Sequence, residues 1–125
     1  MADYFDATVA RAELGGLMRE FHQTYDLLLT PSVAVTAFEA GRLGPEVKGA
    51  AEADDWVDWT PFSYPFNLTQ QPACSIPCGV ASNGLPVGLQ IVGPMHEDTK
   101  VLSAALAFEN ACSASQIRPN LDLLG

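Results

Sequence analysis

Two extended runs separated by an Asn-Gly turn do most to restrict what this chain can fold into. Residues 73–80 and 86–92 both read as strands, and Val87, Leu89 and Ile91 alternate with Gly88, Gln90 and Val92. Between them lies Ala81-Ser82-Asn83-Gly84-Leu85. Both Asn83 and Gly84 tolerate positive φ at low cost, so the two runs are expected to pair antiparallel as a hairpin joined at Asn83-Gly84. Pro77 has no N–H to donate, which places the first strand at a sheet edge or makes it irregular there. An isolated hairpin is marginal in water. Val87, Leu89 and Ile91 are therefore expected to bury against a neighbouring element.

That neighbour is predicted just downstream. A helix starts near Asp98, read as its N-cap, and places Val101, Ala105, Phe108 and Cys112 on one face with Leu102 beside them. Residues from about 113 onward, with Pro119 among them, read as a tail. Upstream, Ala10, Leu14, Leu17, Met18, Phe21 and Tyr25 recur at spacings of three and four, predicting a helix over residues 7–25. Gly15-Gly16 inside it costs about 1 kcal/mol per glycine and permits close approach of another element. Leu27-Leu28-Leu29, bounded by Thr30-Pro31, suits a short buried strand. Residues 36–60 read as a long acidic surface loop carrying Glu52, Asp54, Asp55 and Asp58, with a short helix near Lys48 to Ala53. Trp56 and Trp59 are expected to pin that loop to the body. The whole of residues 1–125 reads as one partial α/β domain, without an internal repeat.

With 48% apolar and only 17% charged residues, the chain is richer in apolar side chains than a self-contained globule of this size. It reads as a piece of something larger, whose apolar surfaces expect a partner. A net charge of −9 removes the basic footprint that nucleic-acid binding requires and would be repelled by an anionic membrane. The three cysteines, Cys74, Cys78 and Cys112, do not form an even disulfide set. The first residues lack the pattern of a secretory leader and no run is long enough to span a bilayer, so a cytoplasmic setting is expected.

Candidate chemistry is sparse. His22 and His96 lack nearby metal-ligating neighbours in sequence, and Cys74 and Cys78, on one face of a strand, would lie about 13 Å apart, too far to share a zinc. No metal or cofactor is expected. Ser75 has no histidine beside it and reads as a structural hydroxyl rather than a nucleophile. Gly84-Leu85-Pro86-Val87-Gly88 lacks the spacing and the lysine of a phosphate loop. The acidic cluster at 52–58 lacks calcium-loop spacing and reads as a solvated face. A weaker alternative makes Cys78 or Cys112 the nucleophile of an unrelated enzyme.

The motif series says more. Pro65-Phe66-Asn67-Leu68-Thr69, Gln71-Pro72-Ala73, Ile76-Pro77-Cys78-Gly79 and Gly84-Leu85-Pro86-Val87-Gly88-Leu89-Gln90-Ile91-Val92-Gly93 occur in that order. Together with Tyr25-Asp26-Leu27-Leu28-Leu29-Thr30-Pro31, they resemble the C-terminal signature of the amidase signature family, over roughly residues 10–112. The resemblance implies an α/β/α sandwich around a mixed sheet, of which this chain supplies a few strands with flanking helices. It implies hydrolysis of a small-molecule amide by a Lys-Ser-Ser triad in the full-length enzyme. The glycine- and serine-rich segment bearing that nucleophile is not in this sequence, and Lys48 and Lys100 do not match the context of the family's lysine. By resemblance, Thr60 and Phe62 wall the substrate cleft. Gln70 departs from the family pattern, since relatives commonly carry glycine there; a positive φ at that position would strain glutamine by about 1 kcal/mol or more, or else the local backbone differs. The chain is thus expected to be a C-terminal amidase portion, inactive alone; the alternative is a binding or assembly module, a homo-oligomer or one half of a split enzyme that lacks its N-terminal part.

Overall fold

A computed structural model describes residues 1–45 and 57–118. Helix α1 runs Ala2–Thr24, strand β1 Leu28–Pro31, helix α2 Tyr64–Thr69, strand β2 Ala73–Val80, strand β3 Pro86–Val92 and helix α3 Asp98–Ala111, followed by a 3₁₀ turn at Ser113–Gln116. The strands form one sheet in the order β1-β3-β2. Both pairings are antiparallel, so the α/β character expected is present, while parallel pairs of a mixed sheet do not occur among the described residues.

The hairpin is as expected in register and slightly different at its tip. β2 pairs with β3 from Ala73↔Val92 to Val80↔Pro86. Ala81 N donates to Leu85 O and Gly84 N to Ala81 O, both at 2.9 Å, closing a three-residue loop. Gly84 alone of the Asn-Gly pair takes positive φ, at 82°. Asn83 serves the loop through its side chain instead: its Oδ1 accepts from Leu85 N at 3.2 Å. Pro77 lies on an outer strand and beside a register shift between Pro77 and Gly79. A proline that cannot complete the ladder and a bulge at the next residue are two sides of one accommodation. The bulge falls on Cys78, so the regular alternation that would put Cys74 and Cys78 on one face is interrupted.

Strand parity then divides the sheet. Cys74, Ile76, Leu89 and Ile91 share one face, because Cys74 opposes Ile91 and Ile76 opposes Leu89. That face meets α3, where Ile76, Ile91, Val101 and Ala105 form the buried cluster, with Leu27, Ala104 and Phe108 packed around it. The close approach needs Gly93, since a Cβ there would stand 2.6 Å from Val101 Cγ2. Three expectations on this side require correction. Val87 is 37% exposed rather than buried, because α3 covers only the Ile91 end of the hairpin. Leu102 is 63% exposed and faces away from the sheet. Asp98 is the first helical residue, not the cap; Glu97 holds the cap position and makes no side-chain capping bond. Asp98 still places its charge in the first turn, where the helix dipole favours it.

The other face carries Thr30, Ser75, Gln90 and Val92 and lies beneath the segment that contains α2. α3 packs on the first face, and the second is tied by Gln90 to the Phe62 carbonyl, in the turn that precedes α2. Pro65 sits in the first turn of α2, where its fixed φ and missing N–H are harmless. Gln70 ends α2 in the left-handed region, at φ 59°, so the glutamine takes up a backbone conformation that favours glycine. α1 packs against α2, and Arg11 Nε donates to Leu68 O at 2.8 Å. It starts earlier than the predicted residue 7 and has no buried residue; Leu14, Met18 and Phe21 of the stripe are half-buried, while Leu17 is 63% exposed. β1 begins one residue after Leu27, which packs against the α3 cluster.

The Trp59 side chain braces its own loop rather than pinning it to the body: its Nε1 donates to Leu43 O at 2.9 Å and its ring meets Phe38 edge-on at 5.3 Å, both partners lying within residues 36–60. Trp56, the predicted short helix near residues 48–53, and Glu52, Asp54 and Asp55 lie outside the described residues. The expected tail is partly structured. The 3₁₀ turn packs against β2, and Ser115, 1% exposed, has its Oγ within 2.6 Å of Cys112 O and 3.0 Å of Glu109 O.

Candidate substrate-cleft wall

A polar rung crosses the sheet. Thr30 on β1 and Ser75 on β2 both oppose Gln90 on the central β3, so all three side chains emerge on the face away from α3. Gln90 is only 8% exposed. A primary amide at that depth must be hydrogen-bonded. Its Nε2 donates to Thr30 Oγ1 at 2.9 Å and to the Phe62 carbonyl at 2.7 Å. The central strand thereby holds the turn that carries Thr60 and Phe62, the two residues the resemblance places in the cleft wall.

That turn is tight. Thr60 N and Thr60 Oγ1 both donate to Val57 O, at 3.0 and 3.1 Å, and Ser63 N donates to Thr60 O at 3.0 Å. Thr60 and Phe62 are half-buried. Next to it the chain leaving β1 crosses over β3: Ser32 N donates to Gly88 O at 3.0 Å, and Ser32 Oγ meets Ser75 Oγ at 2.5 Å. The two hydroxyls meet above Gly88. A Cβ at that position would stand 2.6 Å from Ser32 Oγ and 2.9 Å from Ser75 Oγ, so only glycine leaves room for them. Ser63 Oγ donates to Ser32 O at 3.5 Å and Ala34 N to Trp59 O at 3.1 Å, which joins residues 32–34 and 57–63 into one surface.

This surface borders a hollow of about 320 Å³ lined by Pro31, residues 33–37 and residues 86–88. A second hollow, about 300 Å³, lies under α1, with Met18, Arg19 and His22 on one side and Thr69, Gln71 and Met95 on the other. His22 Nδ1 is 3.0 Å from Tyr25 O, which makes it the protonated nitrogen. His22 Nε2 is buried without a hydrogen-bond partner. Thr60 and Phe62 line neither hollow.

The arrangement positions the turn that carries Thr60 and Phe62; it holds no activated nucleophile among the described residues. The hydroxyl of Ser75 is paired with that of Ser32, in line with its reading as a structural hydroxyl. Lys100 sits elsewhere, with its Nζ 3.1 Å from Asp26 Oδ1 on the surface. Burial, and secondarily the Glu109 carboxylate, push the Cys74 thiol above its ordinary range, the opposite of an activated thiolate. Cys78 Sγ points to Val87 O at 3.5 Å. Among the described residues no group of three or more His, Cys, Asp or Glu could hold a metal ion.

Sequence reasoning singled out Thr60, Phe62 and Ser75, and missed Thr30, Ser32 and Gln90. A signal was present for Gln90: it is out of phase with Leu89 and Ile91 and so had to emerge on the opposite face. Ser32 carried none, because its partner lies 43 residues away.

Comparison with known proteins agrees with this layout. The profile of the family described as Amidase matches residues 2–102. The chain is 34% identical over 123 residues to a glutamyl-tRNA(Gln) amidotransferase subunit of Halothermothrix orenii, covering 94% of this chain and 24% of that protein. It is 34% identical over 104 residues to an acylamidase of Rhodococcus erythropolis, covering 82% and 22%. Among solved structures, the corresponding glutamyl-tRNA(Gln) amidotransferase subunit of Thermotoga maritima superimposes with a TM-score of 0.76 at 34% identity, covering 90% of this chain and 23% of that one. A bacterial aryl acylamidase of the amidase signature family gives 0.75 at 29% identity, covering 96% and 26%. The chain spans about a quarter of the length of these relatives. With its motif series, its hairpin and its flanking helices in agreement, the chain belongs to the amidase signature family and corresponds to a C-terminal portion of it.

Proposed function

We propose that this chain walls one side of the substrate cleft of an amide hydrolase, with Thr60 and Phe62 toward the substrate, and that it does not hydrolyse amides alone. The observation that carries this reading is the pairing of an amidase match over residues 2–102 with the lack of an activated serine among the described residues. Ser75 is bonded to Ser32, and Lys100 is committed to Asp26. The complete enzyme would form an acyl-enzyme on a serine supplied by the rest of the domain, which water then cleaves. This side contributes shape and hydrogen-bonding groups. Relatives named acylamidase and aryl acylamidase suggest an acyl or aryl amide; those named as amidotransferases suggest transfer of an amide nitrogen. No described helix is long and apolar enough to cross a membrane.

The test is a sensitive amide-hydrolysis assay on the purified chain with acetanilide and glutamine. No turnover is expected. Turnover that disappears on Ser75→Ala or Cys78→Ala would overturn the reading.

A second reading, that the chain is an assembly module, has its own observation. α1 buries no residue, and Tyr4, Phe5 and Leu17 on it are each more than 60% exposed, as is Leu102 on α3. Such faces suit either the rest of an amidase domain or a second copy. Light scattering on a concentration series separates the two: self-association supports the second copy, and a monomer at high concentration removes it.

A further inference from the structure

We propose that the hollow under α1 binds a small carboxylate with an apolar body, held between Arg19 and His22. The turn bearing Thr60 and Phe62 does not border this hollow, and the inference stands independently of the amide-hydrolase reading. Arg19 and His22 are three residues apart on α1, so they share one side of the helix. Both have unspent hydrogen-bonding capacity. Arg19 makes no hydrogen bond or ion pair among the described residues. Its guanidinium folds back along α1 over the glycine pair: a Cβ on Gly15 would stand 3.7 Å from Nη1, and one on Gly16 3.8 Å from Nη2. His22 is fixed in orientation. Its Nδ1 donates to Tyr25 O at 3.0 Å, and Phe21 meets its ring edge-on at 5.1 Å. With Nδ1 committed to the backbone at the end of α1, Nε2 is the nitrogen left to the hollow that His22 lines, and it is buried without a partner. A buried polar atom in that state calls for a ligand to complete it.

The chemistry of the two groups selects the ligand. A guanidinium carries donors only, in a planar fork that matches a carboxylate. With one ring proton, on Nδ1, His22 offers Nε2 as an acceptor. A carboxylate brings acceptors only, so its seating adds one proton, taken from solvent, to Nε2. Both ring nitrogens then donate, Nδ1 to Tyr25 O and Nε2 to the carboxylate. Arg19 and His22 are the only ionisable side chains lining the hollow; Thr69, Gln71, Pro94 and Met95 on the opposite side add no charge. That side is held in place, with Thr69 Oγ1 donating to Gln71 Oε1 at 2.8 Å and Gln71 Nε2 to Gly93 O at 3.3 Å. Met18, Pro94 and Met95 supply apolar surface, and the two thioethers adapt to an irregular shape. Such surface suits a hydrocarbon body and offers nothing to the outer oxygens of a phosphate. The volume, about 300 Å³, falls at the small end of ligand-sized pockets.

The experiment is an NMR titration of the purified chain with benzoate, and separately with benzamide and with inorganic phosphate, reading the backbone amides and the ring nitrogens of His22. Benzoate is expected to shift the amides of Gly15, Met18, Gln71 and Met95 saturably. At the same time the Nε2 resonance of His22 should move into the range of a protonated ring nitrogen. Benzamide, of the same shape without the charge, should leave both sets in place, and phosphate should bind more weakly than benzoate. Arg19→Gln removes the cation from an exposed side chain, so the fold is retained, as unchanged amides at Ile91 and Gly93 will show. It should weaken benzoate about tenfold, the equivalent of one charge-assisted hydrogen bond. His22→Gln should weaken benzoate as well; if it disturbs Ile91 or Gly93, the Nε2 signal of the parent chain decides the role of the imidazole. Benzoate shifting none of the four amides, benzamide shifting them equally, phosphate binding more tightly, saturation with Nε2 still unprotonated, or undiminished affinity in Arg19→Gln would each overturn the proposal.

Discussion

The two faces of the sheet use the same three strands for opposite ends. Toward α3, Ile76, Ile91, Val101 and Ala105 close into an apolar cluster that contains no polar side chain. Toward the turn bearing Thr60 and Phe62, Thr30, Gln90 and Ser75 make a polar rung roofed by the Phe62 carbonyl. One face supplies stability through burial, without directional bonds. The other uses its directional groups to place a turn and a serine pair. Side-chain alternation with a period of two makes the division possible, because a single strand serves both needs without a change of register.

The sharpest way to break the comparison is on the apolar face. Ile91→Ala removes a side chain that is 2% exposed and leaves a cavity against α3; unfolding by denaturant should show a loss of about 2–5 kcal/mol. If the polar face carried the stability instead, this change would be mild. Leu89→Ala should cost less than Ile91→Ala, since Leu89 is half-buried at the margin of the cluster.

Gln90→Leu tests the other face. It keeps approximate volume and removes the donor shared by Thr30 Oγ1 and Phe62 O, so a loss of about 1–3 kcal/mol is expected for leaving a half-buried carbonyl without a partner. Its NMR signature should concentrate at residues 60–63. A change spread evenly through α3 would show that the two faces are not separable.

Gly88→Ala probes the serine crossing. The added methyl would meet Ser32 Oγ and Ser75 Oγ, and short side chains can yield only partly, so a loss of about 1–3 kcal/mol is expected. Gly84→Val acts at the hairpin tip, where φ is 82°. There is open space around that position, so the cost is conformational alone, on the order of 1–2 kcal/mol by thermal melt.

The smallest effect belongs to Cys74. Its thiol is pushed up by burial and by Glu109, so the folded state holds the proton more tightly than the unfolded chain does. The resulting stabilisation is complete below the ordinary thiol range and is lost as pH rises through the native value. Stability should therefore fall slightly at alkaline pH in the parent and not in Cys74→Ala, and alkylation of Cys74 at neutral pH should be slower in the folded than in the urea-unfolded protein.

The hairpin and its partner helix were legible because their signals are local. Alternation at residues 86–92, the Asn-Gly dipeptide and the three- and four-residue spacing from Val101 to Phe108 each lie within one element. Boundaries and fine geometry were less so. The start of α1 preceded its apolar stripe because good helix formers extend a helix beyond the residues that pack. α2 was missed because six residues are too few to show a period. Val87 and Leu102 were misplaced because periodicity identifies a face but not how far a neighbour extends over it.

By itself the sequence determined the strand pairing at the turn, the edge irregularity at Pro77 and membership of the family, since each depends on residues close together or on motifs in fixed order. Only the tertiary structure decided that Ser32 would meet Ser75 above Gly88, that Gln90 would hold the Phe62 carbonyl, and that residues 33–37 and 86–88 would enclose a hollow. Those groups are separated by 28 to 60 residues along the chain. No local preference encodes such a contact; it exists because antiparallel pairing on both sides of β3 brings three distant strands to one rung.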